Sequence, residues 1–471
     1  LLPPAAGALP TPGRSRPGLA HLGALRLRNT GRAVPRAAGP GFEVKDDGYW
    51  CRLLLPGPIM IAHVASWVLP VNRPPIRDGA VLVADGVIRA VGPAREVCSS
   101  FRSSQPSSSG SEGRGLICDH GPGAILPGLV NCHTHLEFSA LAGRIPPQER
   151  WRDWLEATLA AREALAPGEV DIGILRGLEV LRRHGTALVG EVSNTGASLQ
   201  PLENSGLAYQ LFYECLGFNV VEPVDLGESA PFLAESRVAA NPRVSAAAHA
   251  PYSVSAALFR AIARWNDAGG RPQTVHLGES REELAFLAEG NGFLRDLLKR
   301  RGRWLDAFQP PGESPATYLQ HLGFLGPRTL AVHGVWLDEA DWRLLVKSRT
   351  WLVLCPRANR YTGAGLAPVD RLLEARVNLA LGTDSLAGNW DLNLFGEIDW
   401  LQRTFPACPG DLWLRLATLN GARALGRDRD LGSLTPGKKA ALGFIPLDKP
   451  GEKFWRELFA AGAAGKFRWL G

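Results

Sequence analysis

The segment LPGLVNCHTHLEFSAL, residues 126–141, places two histidines one residue apart at the end of an apolar run. Because alternate residues of a β-strand face the same side, the imidazoles of His133 and His135 are predicted to point in one direction. A single histidine here would need no special explanation, since buried histidines usually have hydrogen-bond partners. Two histidines with this spacing indicate a shared task, such as binding one metal ion.

Similar apolar runs recur along the chain and are separated by amphipathic stretches. These stretches have helical periodicity, as in ERWRDWLEATLAAREAL (149–165) and EADWRLLVKS (339–348). We predict strands at residues 129–134, 187–192, 208–214, 244–249, 273–277, 330–334, 351–355 and 378–383. Eight strands that alternate with helices predict an α/β fold, and specifically a TIM-like (β/α)8 barrel over residues 124–427.

The chain on both sides of the predicted barrel has short strands and turns. Residues 60–98 contain two alternating apolar runs joined by the turn ADG, and residues 431–447, LGSLTPGKKAALGFIPL, are similar in character. We predict one small β-domain built from both flanks, residues 59–123 and 428–471. The Ser/Gly-rich stretch 99–114 is predicted to be a mobile surface loop.

Residues 1–58 are expected to be a disordered leader, or a segment foreign to the natural protein. They are rich in Pro, Gly, Ala and Arg, and Met60, the only methionine, directly precedes the first predicted strand. Residues 1–42 contain six arginines and no lysine, aspartate or glutamate, which accounts for the whole formal net charge of +6. The remaining chain is neutral overall, so nucleic acid is not an expected partner.

The lengths of the apolar runs and the spacing of the cysteines indicate where in the cell the protein is located. No window approaches 18 consecutive apolar residues, so no membrane-spanning helix is predicted. The seven cysteines are scattered and include no CxxC pair, which favours free thiols in a reducing cytoplasm over a disulfide framework. We therefore expect a cytoplasmic protein whose partner is a small-molecule substrate, with assembly into a homo-oligomer left open.

Histidine and acidic side chains follow several of the predicted strands at their carboxyl ends, where (β/α)8 barrels carry their active sites. In chain order these residues are His133, His135, His276, Glu279, His333 and Asp384. Imidazoles together with a carboxylate suit a borderline cation, zinc or alternatively ferrous iron. The chain has no lysine between Lys45 and Lys299, so a carbamylated lysine cannot bridge two metals on the fourth strand. One divalent cation is therefore predicted.

Seven segments, in order, resemble one known family. They are PGLVNCHTHLE, HAPYSVS, HLGESREE, VHGVWLDEAD, CPRANRYTGAG, LGTDSLAGN and ATLNGARALG with LGSLTPGKKA. The chain from about residue 60 is similar to the amidohydrolase superfamily, in its mononuclear deaminase and chlorohydrolase branch. That branch includes the methylthioadenosine/adenosylhomocysteine deaminases and the aminodeoxyfutalosine deaminases. The resemblance also implies that the discontinuous β-domain is a β-sandwich.

The resemblance implies a role for each residue of the predicted metal site. It implies metal ligation by His133, His135, His276 and Asp384, with water completing the site. A cation there lowers the pKa of its water toward neutrality and so generates hydroxide. Asp384 then accepts the water proton, His333 orients the nucleophile from outside the ligand set, and Glu279 acts as general acid/base.

Four further residues are predicted to contact the substrate. His249, in HAPYSVS, resembles the family's substrate-binding histidine of the fourth strand, the alternative being a core histidine. Glu163 lies nine residues after Trp154, as in methylthioadenosine deaminases, the alternative being a solvated helix face. Arg357 and Asn359 follow the seventh strand, at the predicted barrel mouth.

The sequence thus predicts a metal-dependent hydrolase that deaminates an amino-substituted heterocycle by attack of metal-activated hydroxide, with release of ammonia. An adenine-type nucleoside, similar to aminodeoxyfutalosine or methylthioadenosine, is the expected substrate. The alternatives are hydrolysis of a cyclic amide or dechlorination at the same metal site, and a barrel that serves only as a scaffold. A scaffold is expected to lack one or more of the residues at the barrel mouth, and none is missing here.

Overall fold

The structure, a computed structural model, describes residues 60–103, 115–222, 224–448, 451 and 453–470. The predicted leader and residues 104–114 of the predicted loop lie outside this range. The β-strands are β1 Met60–Val68, β2 Ile76–Ala84, β3 Val87–Pro93, β4 Gly115–Asp119, β5 Gly123–Pro127, β6 Leu129–Thr134, β7 Thr186–Ser193, β8 Ala208–Cys215, β9 Val244–Ala248, β10 Gln273–Leu277, β11 Thr329–His333, β12 Trp351–Leu354, β13 Asn378–Leu381, β14 Leu442–Pro446 and β15 Arg468–Trp469.

Most of the helices lie between these strands. The α-helices are α1 Ala94–Ser103, α2 Trp151–Glu163, α3 Glu169–Arg183, α4 Leu199–Ser205, α5 Leu226–Ser229, α6 Pro231–Ala234, α7 Ser236–Ala239, α8 Ala256–Ala268, α9 Arg281–Glu289, α10 Phe293–Arg300, α11 Pro315–His321, α12 Glu339–Ser348, α13 Pro356–Thr362, α14 Val369–Glu374, α15 Leu394–Thr404, α16 Gly410–Arg415, α17 Gly421–Ala424 and α18 Phe454–Ala463. A 3₁₀ helix spans Leu136–Leu141 and a π-helical turn spans Leu416–Asn420. Within the described residues, no helix combines the length and apolarity needed to cross a bilayer.

Eight parallel strands form the centre of the α/β fold. They are arranged as two four-stranded sheets, β6-β7-β8-β9 and β10-β11-β12-β13. The eight predicted strands coincide with β6–β13 to within two residues at each end, so this part of the prediction is confirmed. Long crossovers that contain helices connect them, as parallel pairing requires.

Side chains on the two faces of these strands enter different cores. Ten residues from seven of the eight strands pack in one apolar cluster: Val130, Cys132, Leu188, Val192, Phe212, Ala247, Leu330, Val332, Val353 and Ala380. Alternate residues, such as Val189, Leu211 and Ala246, pack instead with helix residues such as Leu178 and Ile262. This alternation follows from the two-residue period of a strand, and it separates an inner face from a helix-covered outer face.

Both flanks of the chain contribute to a seven-stranded sheet with the order β15-β14-β5-β1-β2-β3, in which β4 also pairs with β1. Strand β5 pairs in parallel with β1 and antiparallel with β14. The predicted ADG turn joins β2 to β3, and both Asp85 (φ 52°) and Gly86 (φ 69°) are left-handed, as a tight hairpin turn requires. Our predicted boundary at residue 124 falls within β5, which belongs to this sheet.

Two segments differ from the sequence prediction. Residues 99–103 were predicted to begin a loop but are the end of α1, whose Val97 is buried against Ala62, Ala80 and Leu82. Residues 428–471 were predicted as the second part of the β-domain, yet they also contain α18. The backbone oxygens of Gly462 and Ala463 accept hydrogen bonds from the Asn393 side chain, so this helix is fixed beside α15.

Candidate active site

The end of β6 positions the first two histidines. His133 is fully buried, and His135 directly precedes the 3₁₀ helix. Their Nε2 atoms are 3.1 Å apart, so the predicted convergence of the two imidazoles is present in the structure. The backbone N–H of Leu136 donates to both carboxylate oxygens of Glu191 at 3.0 Å, which fixes the chain immediately after His135.

Asp384 lies against this pair because the chain after β13 is hydrogen-bonded to β6. The backbone N–H of Asp384 donates to the His133 carbonyl at 3.0 Å, and the Thr134 hydroxyl donates to the Asp384 carbonyl at 3.0 Å. Asp384 adopts a φ of 57°, an uncommon value for a residue with a side chain. Its Oδ1 lies 3.7 Å from Nε2 of both His133 and His135.

A glycine makes this contact between strands possible. A Cβ on Gly382 would lie 2.8 Å from the His133 Cβ and 3.0 Å from the His133 carbonyl oxygen. Distances this short force a shift, and the backbone oxygen cannot move aside as a flexible side chain could. The glycine in LGTDS therefore sets how closely Asp384 approaches the histidines.

The strands β9 and β10 contribute two more imidazoles. His276 Nδ1 donates to the His249 carbonyl at 2.8 Å, which leaves Nε2 of His276 with its lone pair. One ligand atom each from His133, His135 and His276 lie within 4.8 Å of one another, a grouping that can hold a metal ion. The His249 ring lies with its centroid 5.0 Å from that of His276, and its Nδ1 is 2.6 Å from the Ser253 hydroxyl.

His333 reaches the cluster through a break in the strand pattern. Simple alternation would place it with Ala331 on the outer face, but its φ of 76° interrupts the extended conformation. Its ring stacks on that of His276 with centroids 5.4 Å apart. Its Nδ1 is 2.7 Å from Asn359 Oδ1, and its Nε2 is 3.7 Å from Glu279 Oε1.

Glu279 is held by a second glutamate. The backbone N–H groups of Gly278 and Glu279 donate to the two carboxylate oxygens of Glu283 at 3.0 and 3.1 Å. Burial raises the pKa of Glu279 to about 7, with a further rise from Asp384 that His276 opposes. A carboxyl group with this pKa exists in both protonation states near neutral pH, as a general acid/base requires.

The protonation states of the other groups suit a cation. Burial lowers the pKa of His133 to about 4, of His135 to about 3 and of His333 to about 4, so these imidazoles are neutral at pH 7. Burial alone would raise the pKa of Asp384, but the adjacent imidazoles bring it below its usual range. Neutral imidazoles and an ionised carboxylate are the forms that bind zinc.

Arg357 and Glu163, two residues predicted to contact the substrate, form their polar contacts with residues outside the histidine cluster. The Arg357 guanidinium donates to both carboxylate oxygens of Asp391, at 2.8 and 3.1 Å. Glu163 is an exposed residue at the end of α2 and is ion-paired with Arg301. Their contact with substrate stays a prediction, whereas the structure brings His249 and Asn359 to the histidines.

The structure also brings to the histidines an acidic residue that was not predicted from the sequence, Glu214. Glu214, on β8, lies 3.5 Å from His276 Nδ1 and accepts a hydrogen bond of 2.6 Å from the Asn194 side chain. Burial would raise the pKa of Glu214, but His249, His276 and His135 lower it below its usual range. The criterion that selected His276, a polar residue near the carboxyl end of an apolar strand, also applies to Glu214 in AYQLFYEC.

Comparison with known proteins gives consistent results. Residues 124–461 match the sequence profile of the amidohydrolase family. A protein of Syntrophobacter fumaroxidans named 5-methylthioadenosine/S-adenosylhomocysteine deaminase is 32% identical over 411 residues, which cover 79% of this chain and 81% of the relative.

Two solved structures share the fold. The zinc-bound adenosine deaminase from Xanthomonas campestris has a TM-score of 0.71 and 26% identity, over 86% of this chain and 90% of that one. The Helicobacter pylori aminofutalosine deaminase in complex with methylthio-coformycin has a TM-score of 0.72 and 21% identity, over 85% and 95%. The second likeness concerns the fold alone.

Proposed function

The chain belongs to the amidohydrolase family, and from this premise we propose that it is a metal-dependent hydrolase that deaminates an adenine-type nucleoside. The observation that carries the proposal is the meeting of three imidazoles, the Asp384 carboxylate and the Glu279 carboxyl group in one buried cluster. Relatives named as deaminases of adenine nucleosides support the choice of substrate class. A methylthioadenosine-like or aminodeoxyfutalosine-like nucleoside is the substrate we favour.

One divalent cation, zinc, would be held by His133, His135, His276 and Asp384. When bound, the cation acts as a Lewis acid that makes a water molecule nucleophilic at neutral pH. The grouping of the three histidine ligand atoms supports the fit, as does the Nδ1–H bond that leaves His276 Nε2 free.

The side chains around this site divide the proton transfers between them. Asp384 accepts a proton from the attacking water, and neutral His333 orients that water through Nε2. Glu279, protonated at the start, donates its proton to the nitrogen of the heterocycle as the amine-bearing carbon becomes tetrahedral. It then takes up the proton of the new hydroxyl group and passes it to the amino group, which leaves as ammonia as the carbonyl forms. The proton held by Asp384 returns to Glu279 before the next turnover. Burial of Glu279, only 5% exposed, keeps this transfer away from bulk water.

We further infer that the two parallel sheets close into one (β/α)8 barrel. The His276 N–H donates to the His249 carbonyl at 2.9 Å between β10 and β9, and the Asp384 bond to His133 connects β13 with β6. The inner apolar cluster, with members from seven strands, supports the same arrangement. Apolar clusters lie on both faces of the seven-stranded sheet, which supports the proposal that this sheet folds over on itself as the predicted β-sandwich.

The function is tested by ammonia release from a panel of amines. Purified protein loaded with zinc is expected to deaminate 5′-substituted adenosines and to leave guanine and aminotriazines largely unchanged. The Asp384→Asn variant should be inactive on every compound, because the cation loses its one anionic ligand. Failure of the zinc-loaded protein to release ammonia from any amine would contradict deamination. Turnover of a chlorotriazine or a cyclic amide would then favour the alternative reactions.

A further inference from the structure

Glu214 is a buried carboxylate that no lysine or arginine side chain in the described part of the chain neutralises. Its residue exposure is 5%, and among the described residues no lysine or arginine forms an ion pair with it. The Arg162 guanidinium, which donates to the Asn194 amide oxygen at 2.9 Å, lies 3.8 Å from a different carboxylate, that of Glu137. A buried charge left in this state is costly, so its presence needs an explanation.

The partners of Glu214 connect it to the predicted metal centre. Its Oε2 accepts from the Asn194 side chain at 2.6 Å, and its Oε1 lies 3.5 Å from His276 Nδ1. One ligand atom each from Glu214, His249 and His276 lie within 4.8 Å of one another. The carboxylate therefore lies behind His276, on the side of the ring opposite to the nitrogen that faces the other histidines.

The grouping of Glu214, His249 and His276 could be explained by a cation site in addition to the predicted one. It would need the second nitrogen of His276, but that Nδ1 already donates to the His249 carbonyl at 2.8 Å. The Nδ1 of His249 is in turn occupied by the Ser253 hydroxyl at 2.6 Å. Two cations would thus have to share the single free nitrogen of His276, which excludes simultaneous occupation.

We propose that Glu214 is a positioning residue whose negative charge, together with that of Asp384, balances one divalent cation and strengthens its binding through His276. Two carboxylates neutralise a charge of +2, and the imidazoles add none. A carboxylate close to the outer nitrogen of a ligating histidine makes that histidine more basic, and loss of such a partner commonly lowers metal affinity 10- to 100-fold. This inference rests on the proposed metal-dependent function.

The test compares zinc affinities of variants that keep their shape. The full chain is stripped of metal with a chelator and titrated with zinc against a fluorescent competitor. Glu214→Gln removes the charge with little change in volume, and its zinc Kd is expected to rise about 10- to 100-fold. Asp341→Asn is the matched control, because Asp341 is a buried carboxylate at the start of α12 that caps this helix. Its zinc Kd should stay at the wild-type value.

Thermal unfolding separates this role from a structural one. If Glu214 serves the cation, the metal-free Glu214→Gln variant should unfold at the same Tm as metal-free wild type or at a higher one. Zinc should then raise the Tm of the variant less than it raises that of wild type. A structural role predicts the opposite, a lower Tm for the metal-free variant. The Asp341→Asn control should lower the Tm equally with and without zinc.

The outcomes are distinguishable. Equal zinc affinity in wild type and Glu214→Gln would overturn the inference while leaving the proposed function intact, even if the variant had a raised KM. A lower Tm of the metal-free variant would also overturn it. A wild-type chain that binds no zinc would overturn both the inference and the metal site on which the function depends.

Discussion

The Nδ1 atom of His333 lies 2.7 Å from Oδ1 of Asn359, both side chains being buried. With the amide oxygen accepting, the His333 proton is on Nδ1, and the lone pair of Nε2 faces the Glu279 carboxyl group. A residue predicted from the sequence to contact the substrate thus also determines the tautomer of a predicted catalytic histidine.

Replacing Asn359 should therefore reduce catalysis without removing the metal. In Asn359→Leu, His333 loses its acceptor and both its tautomers become accessible, so we expect kcat/KM to fall about 10- to 100-fold. Bound zinc, measured by atomic absorption, should remain at the wild-type level. Unchanged kcat/KM in a folded variant would contradict the orienting role of Asn359.

Glu279→Gln should retain zinc and lose rate. The amide cannot donate and recover the proton, so kcat is expected to fall about 10²- to 10⁴-fold. Zinc content and kcat measured on the same preparation check this. Loss of zinc from the variant would show instead that Glu279 is a ligand.

Gly382→Ala should disturb the contact between β13 and β6. The added Cβ would collide with the His133 backbone and push Asp384 away from the histidines. We expect the free energy of unfolding to fall by about 1–3 kcal/mol and zinc binding to weaken. Gly326→Ala is the control, because nothing lies within 4 Å of a Cβ added there. Normal zinc binding in Gly382→Ala would show that the strands have room to adjust.

Glu283 should make stability depend on pH. Burial raises its pKa to about 8, against an ordinary value of 4.5. The folded chain therefore holds this proton up to higher pH than the unfolded chain does. The contribution of protonated Glu283 to the free energy of unfolding is fully present below pH 4.5. It is lost as the pH rises through about 8.

Tm measured from pH 5 to pH 8.5 in wild type and Glu283→Gln tests this expectation. The variant lacks the titrating group, so its Tm should decline less with rising pH than that of wild type. Glu289→Gln, an exposed position of the same helix, should follow the wild-type curve. Parallel curves for Glu283→Gln and wild type would contradict the assignment.

The sequence predicted the eight parallel strands well because each is a short apolar run between amphipathic helices. The strand that ends in HTH was placed at residues 129–134, and β6 has these bounds. The tail was harder to interpret. Residues 454–463, FWRELFAAGA, have helical character, but they lie in a segment whose preceding residues are strand-like. Contacts with distant segments such as α15 fix the helix.

Contacts between distant segments explain what could not be predicted at the site. His333 joins the cluster through a left-handed φ, which no pattern of apolar residues reveals. The guanidinium of Arg357 was predicted at the barrel mouth, but its pairing with Asp391 depends on a loop elsewhere in the chain. Glu214 was overlooked although it lies near the carboxyl end of an apolar strand, as His276 does, because only its contact with His276 connects it to the cluster.

The pairing of β5 with β1 on one side and β14 on the other has a consequence for biosynthesis. The register places Ile125 opposite both Val68 and Phe444. During translation, residues 123–127 are therefore made long before the partner that covers their second edge. Until residues 442–446 leave the ribosome, that edge offers unpaired backbone N–H and carbonyl groups to other chains. Over this interval the nascent chain can aggregate through this edge, and a chaperone that covers it would be useful.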